Sequence, residues 1–359
     1  MKIVTIFGTR PEIIKLSALI PRFDDKFDQI LIHTGQHYSY IMDQIFFDDL
    51  QIRNCDYTLN VGSGTHAQQT GKMMMLLEDI LIDEKPDAVV VQGDTNSTLS
   101  GALTASKLNI PIVHIEAGCR SFDKKMPEEV NRIVVDHISK YLFAPDQKAY
   151  NNLIREGISE DNIFLVGNTS VDACFRAMDI FESMDLKNFI EDEDYVLLTL
   201  HRQENTSSMG LKEILKAVNK ISENIKVIFP VHLRTKQVIK ENKIEVYSNV
   251  IMTDPLGYKD FIGLIASSKF VLTDSGGVQE ESVILNVPCL ILRDTTEWMI
   301  YVDAGKNKLI GTNPQNIVDS VNDLLLNPNT IEEMKKIKIQ VNKNSSDKIV
   351  SILESKLNK

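Results

Sequence analysis

VLTDSGGVQEE, residues 271–281, is the stretch whose reading decides the fold. An apolar strand, Phe270-Val271-Leu272, runs into Thr273-Asp274-Ser275 and then Gly276-Gly277. Helix-favouring Val278, Gln279, Glu280 and Glu281 follow at once. Strand, tight glycine turn and helix start together point free backbone N–H groups at an anion. The glycines let the backbone approach a phosphate closely, and Ser275 adds a hydroxyl donor. Glu281, one turn into the helix, is placed to accept from ribose hydroxyls. Two glycines alone also describe an ordinary strand-to-helix turn in an α/β protein, so the flanking chain must decide.

A second unit of the same kind opens the sequence. Lys2 to Phe7 has the pattern of a buried strand, followed by Gly8-Thr9-Arg10-Pro11-Glu12 and an amphipathic helix with Ile13, Leu16, Leu19 and Ile20. Pro11 suits a first helical turn, Arg10 sits at the mouth and Lys15 lies on the helix. Between these two units, unbroken apolar strands alternate with helices: Gln29 to Thr34, a helix over 65–82, Ala88 to Val91, a helix over 97–108, Ile112 to Ile115, Tyr141 to Ala144 and Phe164 to Val166. After an acidic stretch, residues 179–194, a second series follows: Tyr195 to Leu200, Val227 to Pro230, Val250 to Met252, Phe270 to Thr273 and Cys289 to Leu292. Such alternation predicts parallel sheets covered on both faces. The expected architecture is α/β, with two Rossmann-like domains facing across a cleft, 1–180 and 181–344. A last helix over 345–359 is expected to open on a serine cap at Ser345 and to join the first domain.

Composition excludes several classes. The chain has 359 residues, 43% hydrophobic and 25% charged, with a net charge of −11. A balance so acidic argues against nucleic acid or an anionic membrane as partner, though not against an anionic ligand in a locally basic cleft. Cys55, Cys119, Cys174 and Cys289 are scattered and form no CxxC, which favours reduced thiols in a cytoplasmic setting. The first residues read as a strand rather than a signal peptide, and no apolar run is long enough to span a bilayer.

Chemistry-bearing side chains gather at the strand ends. Arg10 follows the first strand, Asp94 the strand at 88–91, and Glu116 the strand at 112–115. His201 follows Leu200, His232 follows Pro230, and Asp274-Ser275 follow the strand at 270–273. In an open α/β sheet that edge is where ligands bind. Any one of these residues could be a helix cap or a satisfied histidine, but capping does not account for all of them together. Pro127 opens a further helix in which Glu128 and Arg132 stand at i, i+4 spacing, suited to a surface ion pair. A functional reading instead brings Asp94, Glu116 and Glu128 into one pocket as acid/base carboxylates, since crowding pushes their pKa values apart. GxGxxG with a ribose-binding acid, GxxxxGK[ST], HExxH and GxSxG are all absent. No dinucleotide, P-loop, metal or esterase template is implied.

GTRPEIIK, QGDTNST, HIEAGCRS, MPEEVNR, LTLHRQEN, PVHLRT and LTDSGGVQEE occur in this order. With these motifs the chain resembles the non-hydrolysing UDP-N-acetylglucosamine 2-epimerases from end to end. The resemblance implies two Rossmann-like domains of the glycosyltransferase-B type, a homodimer, and a UDP-sugar substrate epimerised at C2 without NAD or metal. It implies Asp94, Glu116 and Glu128 as the acid/base set, with the deprotonating member left open, and His201 assisting the departing phosphate. Arg10, His232, Ser275, Gly276 and Gly277 would hold the diphosphate and Glu281 the ribose; Lys15 and Arg132 match further ligand positions. Gln36 and His37 are candidates for an activator site.

One motif departs from the family pattern RDTTERPE: here it reads Arg293-Asp294-Thr295-Thr296-Glu297-Trp298-Met299-Ile300. Trp298 in place of an arginine leaves the sugar open. Among the resembling sequences, Trp at this place is associated with epimerases of UDP-2,3-diacetamido uronic acids. A hydrolysing epimerase is disfavoured because GTRPE is kept, and a glycosyltransferase because three carboxylates would have no role in it.

Overall fold

A computed structural model describes residues 1–36, 46–181, 194–339 and 341–358. His37 and most of the expected domain junction, residues 182–193, lie outside the described residues. The chain divides into two compact units, Met1–Arg176 with Asn342–Lys359, and Ala177–Val341. The division falls inside the Thr169–Ile180 helix, a few residues before the boundary drawn from composition.

In the first unit, β1 (Lys2–Phe7), β2 (Asp28–His33), β3 (Tyr57–Thr58), β4 (Ala88–Gln92), β5 (Ile112–Ile115), β6 (Tyr141–Ala144) and β7 (Ile163–Leu165) form one sheet in the order β3-β2-β1-β4-β5-β6-β7. Every pairing in it is parallel. In the second unit, β8 (Tyr195–Thr199), β9 (Lys226–Pro230), β10 (Val250–Thr253), β11 (Phe270–Thr273), β12 (Cys289–Ile291) and β13 (Asn307–Leu309) order as β10-β9-β8-β11-β12-β13, again all parallel. The expected α/β class with two parallel sheets is thus borne out. β4 and β5 are buried along their whole length, as strands covered on both faces must be. Each fully buried Leu, Ile or Phe contributes about 1.5–3 kcal/mol. In the second unit Leu198, Phe229, Leu272 and Leu290 meet Leu211, Ile214 and Ile317 in one core.

Strand order reverses at β1/β4 in the first unit and at β8/β11 in the second. At such a point the connections leave to opposite sides and open a crevice at the carboxyl ends of the strands. In the second unit the two central strands are also locked side chain to side chain, with Thr199 and Thr273 hydroxyls 2.6 Å apart.

The last helix, Ser345–Leu357, packs on the first unit, with Asp347 2.7 Å from Arg22. Its expected serine cap is corrected. Asn344 occupies the N-cap in the left-handed region (φ 78°) and offers no side-chain cap. The carboxylate of Asp172 accepts instead from the N–H groups of Asn344 (2.9 Å) and Ser346 (2.5 Å). An ionised acceptor from outside the helix supplies what a serine hydroxyl would have given. Among the described residues no helix is long and apolar enough to cross a membrane.

Candidate active site

In the first unit the turns after β1 and β4 are tied by one buried carboxylate. Glu12 accepts from the Gly8 N–H (3.0 Å) and from the hydroxyls of Thr9 (2.8 Å), Thr95 (2.8 Å) and Thr98 (3.2 Å). Burial raises its pKa and the four donors lower it, with a net rise. Gly8 is required by packing: a Cβ there would lie 1.8 Å from the Thr34 hydroxyl oxygen. The next residue but one, Arg10, places its guanidinium 5.1 Å from the centre of the Phe46 ring.

Asp94 lies just before Thr95, the cap of the Asn96–Lys107 helix. Its carboxylate is paired with Arg132, and its carbonyl accepts from the Asn131 amide at 2.8 Å. Burial raises the pKa of Asp94, the Arg132 charge opposes it, and the nearby Glu116 adds to the rise; the net direction is upward. Glu116 leaves β5 with φ at +67°, a conformation that costs a non-glycine residue about 1–3 kcal/mol. It accepts from Lys15 Nζ at 2.6 Å and from the Gln92 amide. Lys15 therefore serves a carboxylate at this edge.

Glu128, in the first turn of the Pro127–Ile138 helix, shares with Asp94 a hollow of about 500 Å³ whose walls include Gln36, His66, Gln69, Asn96 and Asn131. Glu116 does not line that hollow, but its charge acts on Asp94. The i, i+4 pair expected between Glu128 and Arg132 is corrected. Arg132 turns to Asp94 and to Glu129, 2.8 Å away. Glu129 wins because it is buried and already fixed by the N–H groups of Ser121 and Phe122, both at 2.9 Å. Glu128 is left half-buried on the hollow.

In the second unit, His201 and Asp274 stand at the ends of β8 and β11. Asp274 is fully buried and accepts from His201 Nδ1 (2.8 Å), from the N–H groups of His201 (3.0 Å) and Arg202 (3.1 Å), and from the Asn205 amide (3.0 Å). Burial would raise its pKa, but these donors prevail and hold it below the ordinary value. Since a carboxylate only accepts, Nδ1 of His201 donates and Nε2 is presented outward on a side chain 60% exposed.

Ser275 caps the Gly276–Ile284 helix, its hydroxyl 3.5 Å from the Val278 nitrogen. The N–H groups of the first turn, those of Gly276 and Gly277 included, have no acceptor inside the helix. A Cβ on Gly277 would meet only the Ser275 hydroxyl at 3.9 Å, so this side of the turn is open. A Cβ on Gly276 would come within 2.2 Å of a Glu297 carboxylate oxygen and 3.5 Å of Trp298 Nε1. The Arg293–Trp298 loop thus lies against the helix start, held by an Arg293–Glu297 pair at 2.8 Å, and Trp298 stacks on Tyr301 at 5.4 Å. Glu281 is half-buried; burial, opposed by a Tyr258 hydrogen bond, pushes it up to about 8. His232 is exposed and caps the Leu233–Glu241 helix, its Nδ1 3.3 Å from the Arg234 nitrogen. A larger hollow of about 990 Å³, between Arg202, Arg293 and Asn313, includes none of the expected site residues.

Sequence reasoning did not single out Glu12, His66, Gln69 or Asn96. His66 and Asn96 meet at 3.2 Å on the wall of the carboxylate hollow; the HAQQ run holds no signal of its own, and within QGDTNST the charge of Asp94 draws the reading away from Asn96. Among the described residues no cluster of His, Cys, Asp or Glu could hold a metal ion. The first unit thus presents carboxylates with contrasting surroundings, suited to moving a proton. The second presents a helix start suited to an anion, beside an oriented histidine.

The family model described as UDP-N-acetylglucosamine 2-epimerase matches residues 22–354. The UDP-N-acetylglucosamine 2-epimerase of Methanocaldococcus jannaschii is 49% identical over 340 residues, covering 91% of this chain and 93% of that protein. Its solved structure superposes with a TM-score of 0.87, covering 99% of this chain and 100% of that one at 46% identity. Its complex with UDP-GlcNAc and UDP gives 0.78 with the same coverage and identity. The UDP-2,3-diacetamido-2,3-dideoxy-D-glucuronate 2-epimerase of Pseudomonas aeruginosa is 44% identical, covering 89% of this chain and 91% of that protein.

Proposed function

This chain belongs to the UDP-N-acetylglucosamine 2-epimerase family, and on that premise we propose that it reversibly inverts C2 of UDP-N-acetylglucosamine to give UDP-N-acetylmannosamine. The observation that carries the reading is the carboxylate group of the first unit: half-buried Asp94 paired with Arg132, Glu116 held by Lys15, and Glu128 on the same hollow as Asp94. One of these carboxylates takes the C2 proton while the C1–oxygen bond breaks and UDP departs with its electrons. The sugar becomes a 2-acetamidoglucal with a C1–C2 double bond. UDP then adds back to C1, and a proton returns to C2 from the other face.

Departure of UDP builds negative charge on the diphosphate, and donors already in place stabilise it without reorganising. Ser275, Gly276 and Gly277 supply backbone and hydroxyl donors, with Arg10 and His232 as cationic or donor groups and Glu281 as acceptor for the ribose. Asp274 holds His201 in the tautomer and orientation that serve the leaving phosphate. Arg132 holds Asp94 in place and Lys15 holds Glu116.

Incubation with UDP-N-acetylglucosamine in heavy water, read by NMR, tests the reading. One solvent deuteron should enter at C2, with no added metal or nucleotide cofactor. Retention of the C2 hydrogen through epimerisation would disprove elimination and re-addition.

Trp298 favours a second substrate. Its indole borders the start of the phosphate-binding helix, where an arginine would add charge and a planar fork. An apolar face there suits the body of a sugar, such as a second acetamido group at C3. The 44% identical Pseudomonas relative is named for a UDP-2,3-diacetamido sugar acid. Competition between the two sugars, in the wild type and in Trp298→Arg, separates the readings.

The enzyme is further proposed to be a cytoplasmic homodimer. Support comes from four free cysteines and from exposed Met75, Leu76 and Ile82 on the His66–Glu84 helix. Sedimentation of Met75→Glu should report monomers if that face pairs.

A further inference from the structure

Behind the carboxylate edge of the first unit lies a buried chain of charges that the proposed chemistry does not use. His114 on β5 is fully buried, and both its ring nitrogens face acceptors. Nδ1 lies 2.6 Å from Asp136 Oδ1, and Nε2 lies 2.8 Å from the carbonyl oxygen of Gly93. With the carboxylate ionised neither partner donates, so both ring nitrogens carry protons and the ring is a cation. Burial alone would strip that proton; the charge and hydrogen bond of Asp136 outweigh it and raise the pKa.

The other oxygen of Asp136, Oδ2, accepts from the backbone N–H of Gly118 at 3.0 Å and from Arg120 at 2.7 Å. Arg120 in turn forks onto Glu156 at 2.8 and 2.6 Å. The signs alternate along the chain, so the buried charges balance. What matters is where its contacts land. Gly93 is the residue before Asp94, and Gly118 is two residues after Glu116. Gly93, Glu116 and Gly118 are all left-handed, with φ of 73°, 67° and 82°. The His114–Asp136 pair therefore grips, from below, the two sharp turns that carry Asp94 and Glu116.

We propose that His114 and Asp136 are positioning residues for the epimerisation: Nε2 of His114 anchors the turn of Asp94, Asp136 anchors the turn of Glu116, and the bond between them sets the spacing of the two carboxylates. The assignment rests on the reading of Asp94 and Glu116 as acid/base groups. An apolar core at this place would leave the Gly93 carbonyl and the Gly118 N–H without these partners, and the turns would be free to shift. Misplacement by about 1 Å is enough to cost a reaction roughly a hundredfold.

Two amides separate positioning from bulk stability. The side-chain nitrogen of Asn overlays Nδ1, and that of Gln overlays Nε2. His114→Asn keeps the bond to Asp136 and loses Gly93; His114→Gln keeps Gly93 and loses Asp136. Both remove the charge. Asp172→Asn weakens the cap of the last helix in the same unit and calibrates a loss that is only structural. Turnover of UDP-N-acetylglucosamine, KM and thermal midpoint are measured for all three. His114→Asn should lose roughly a hundredfold in kcat with KM within threefold, while His114→Gln should retain about tenfold more kcat than His114→Asn. Asp172→Asn should lower the midpoint and leave kcat within threefold.

A kcat within threefold of the wild type in both His114 variants, or kcat that merely follows the midpoint across the set, overturns the positioning role. Where either variant does not fold, Asp136→Asn takes its place. It keeps an acceptor for His114 but sets an amide against the Gly118 N–H and Arg120. A kcat near that of the wild type in this variant overturns the role equally. A wild type without turnover of UDP-N-acetylglucosamine instead sinks the reading beneath, and the assignment with it.

Discussion

The turns after β1 and β11 read alike in sequence, strand to glycine to helix, yet they have opposite interiors. After β1 the helix's own Glu12 folds back and takes the Gly8 N–H and three hydroxyls, so the turn is plugged by a carboxylate of this chain. After β11 the buried carboxylate turns to the neighbouring strand end: Asp274 serves His201, Arg202 and Asn205, and the helix start at Gly276-Gly277 is left to an outside acceptor. A glycine turn therefore announces a close approach of backbone without saying what approaches. In the first unit it is the chain itself, beside carboxylates proposed to transfer the proton. In the second it is proposed to be the ligand.

The contrast would break first at the carboxylates. Asp94→Asn and Glu116→Gln should each lower turnover at least ~100-fold, the scale for losing a positioned acid or base, with the fold unchanged by circular dichroism. Near-normal rates in both would reduce the first unit's edge to helix capping. The two glycines come next. Gly8→Ala drives a methyl group to 1.8 Å from the Thr34 hydroxyl and 2.4 Å from that of Ser97, so thermal unfolding should report a loss of about 1–3 kcal/mol. Gly277→Ala meets open space; its midpoint should hold while UDP affinity by calorimetry weakens about tenfold, some 1.4 kcal/mol. A Gly277→Ala protein that is destabilised and binds UDP normally would erase the distinction between plugged and open turns.

The smallest effect is a slope. Burial holds Glu281 up to about 8 in the folded protein. Between the ordinary carboxylate range and pH 8 the folded state keeps a proton that the unfolded state has released. Stability from this group is therefore full at low pH and lost as pH rises through that window. Glu281→Gln should flatten the decline of the thermal midpoint between pH 5 and 8, and an unchanged slope would mean that the carboxyl ionises normally. Bound UDP is expected to add an acceptor need at the same carboxyl, so the slope should be measured with and without it.

Much of this was readable in the letters. Unbroken apolar runs such as Ala88 to Val91 and Ile112 to Ile115 announce strands covered on both faces, and they form β4 and β5. β3 and β13 were not legible, because edge strands of two and three mostly polar residues carry no apolar run. Strand-end residues were legible as a set because the carboxyl edge of an open sheet is where ligands bind. The partner of Arg132 was not: helix spacing offers Glu128 and Glu129 almost equally, and only tertiary burial of Glu129 and the approach of Asp94 decide between them. Glu12, His114 and Asp136 were missed for a related reason. A buried ionisable group takes its meaning from what surrounds it in space, and HIEAG or NRIVVDH shows no periodicity that distinguishes it.

Asp172 waits for a helix that the ribosome delivers late. Its two acceptor contacts are to Asn344 and Ser346, and the whole of Ala177–Val341 is synthesised in between. At about 5–20 residues per second that interval is roughly ten to thirty seconds. During synthesis the first unit must persist without its closing helix while the second is extruded and folds as an insertion into it. The order of completion thus inverts the order of translation: the second unit can finish first, and the first unit, started earliest, is sealed last.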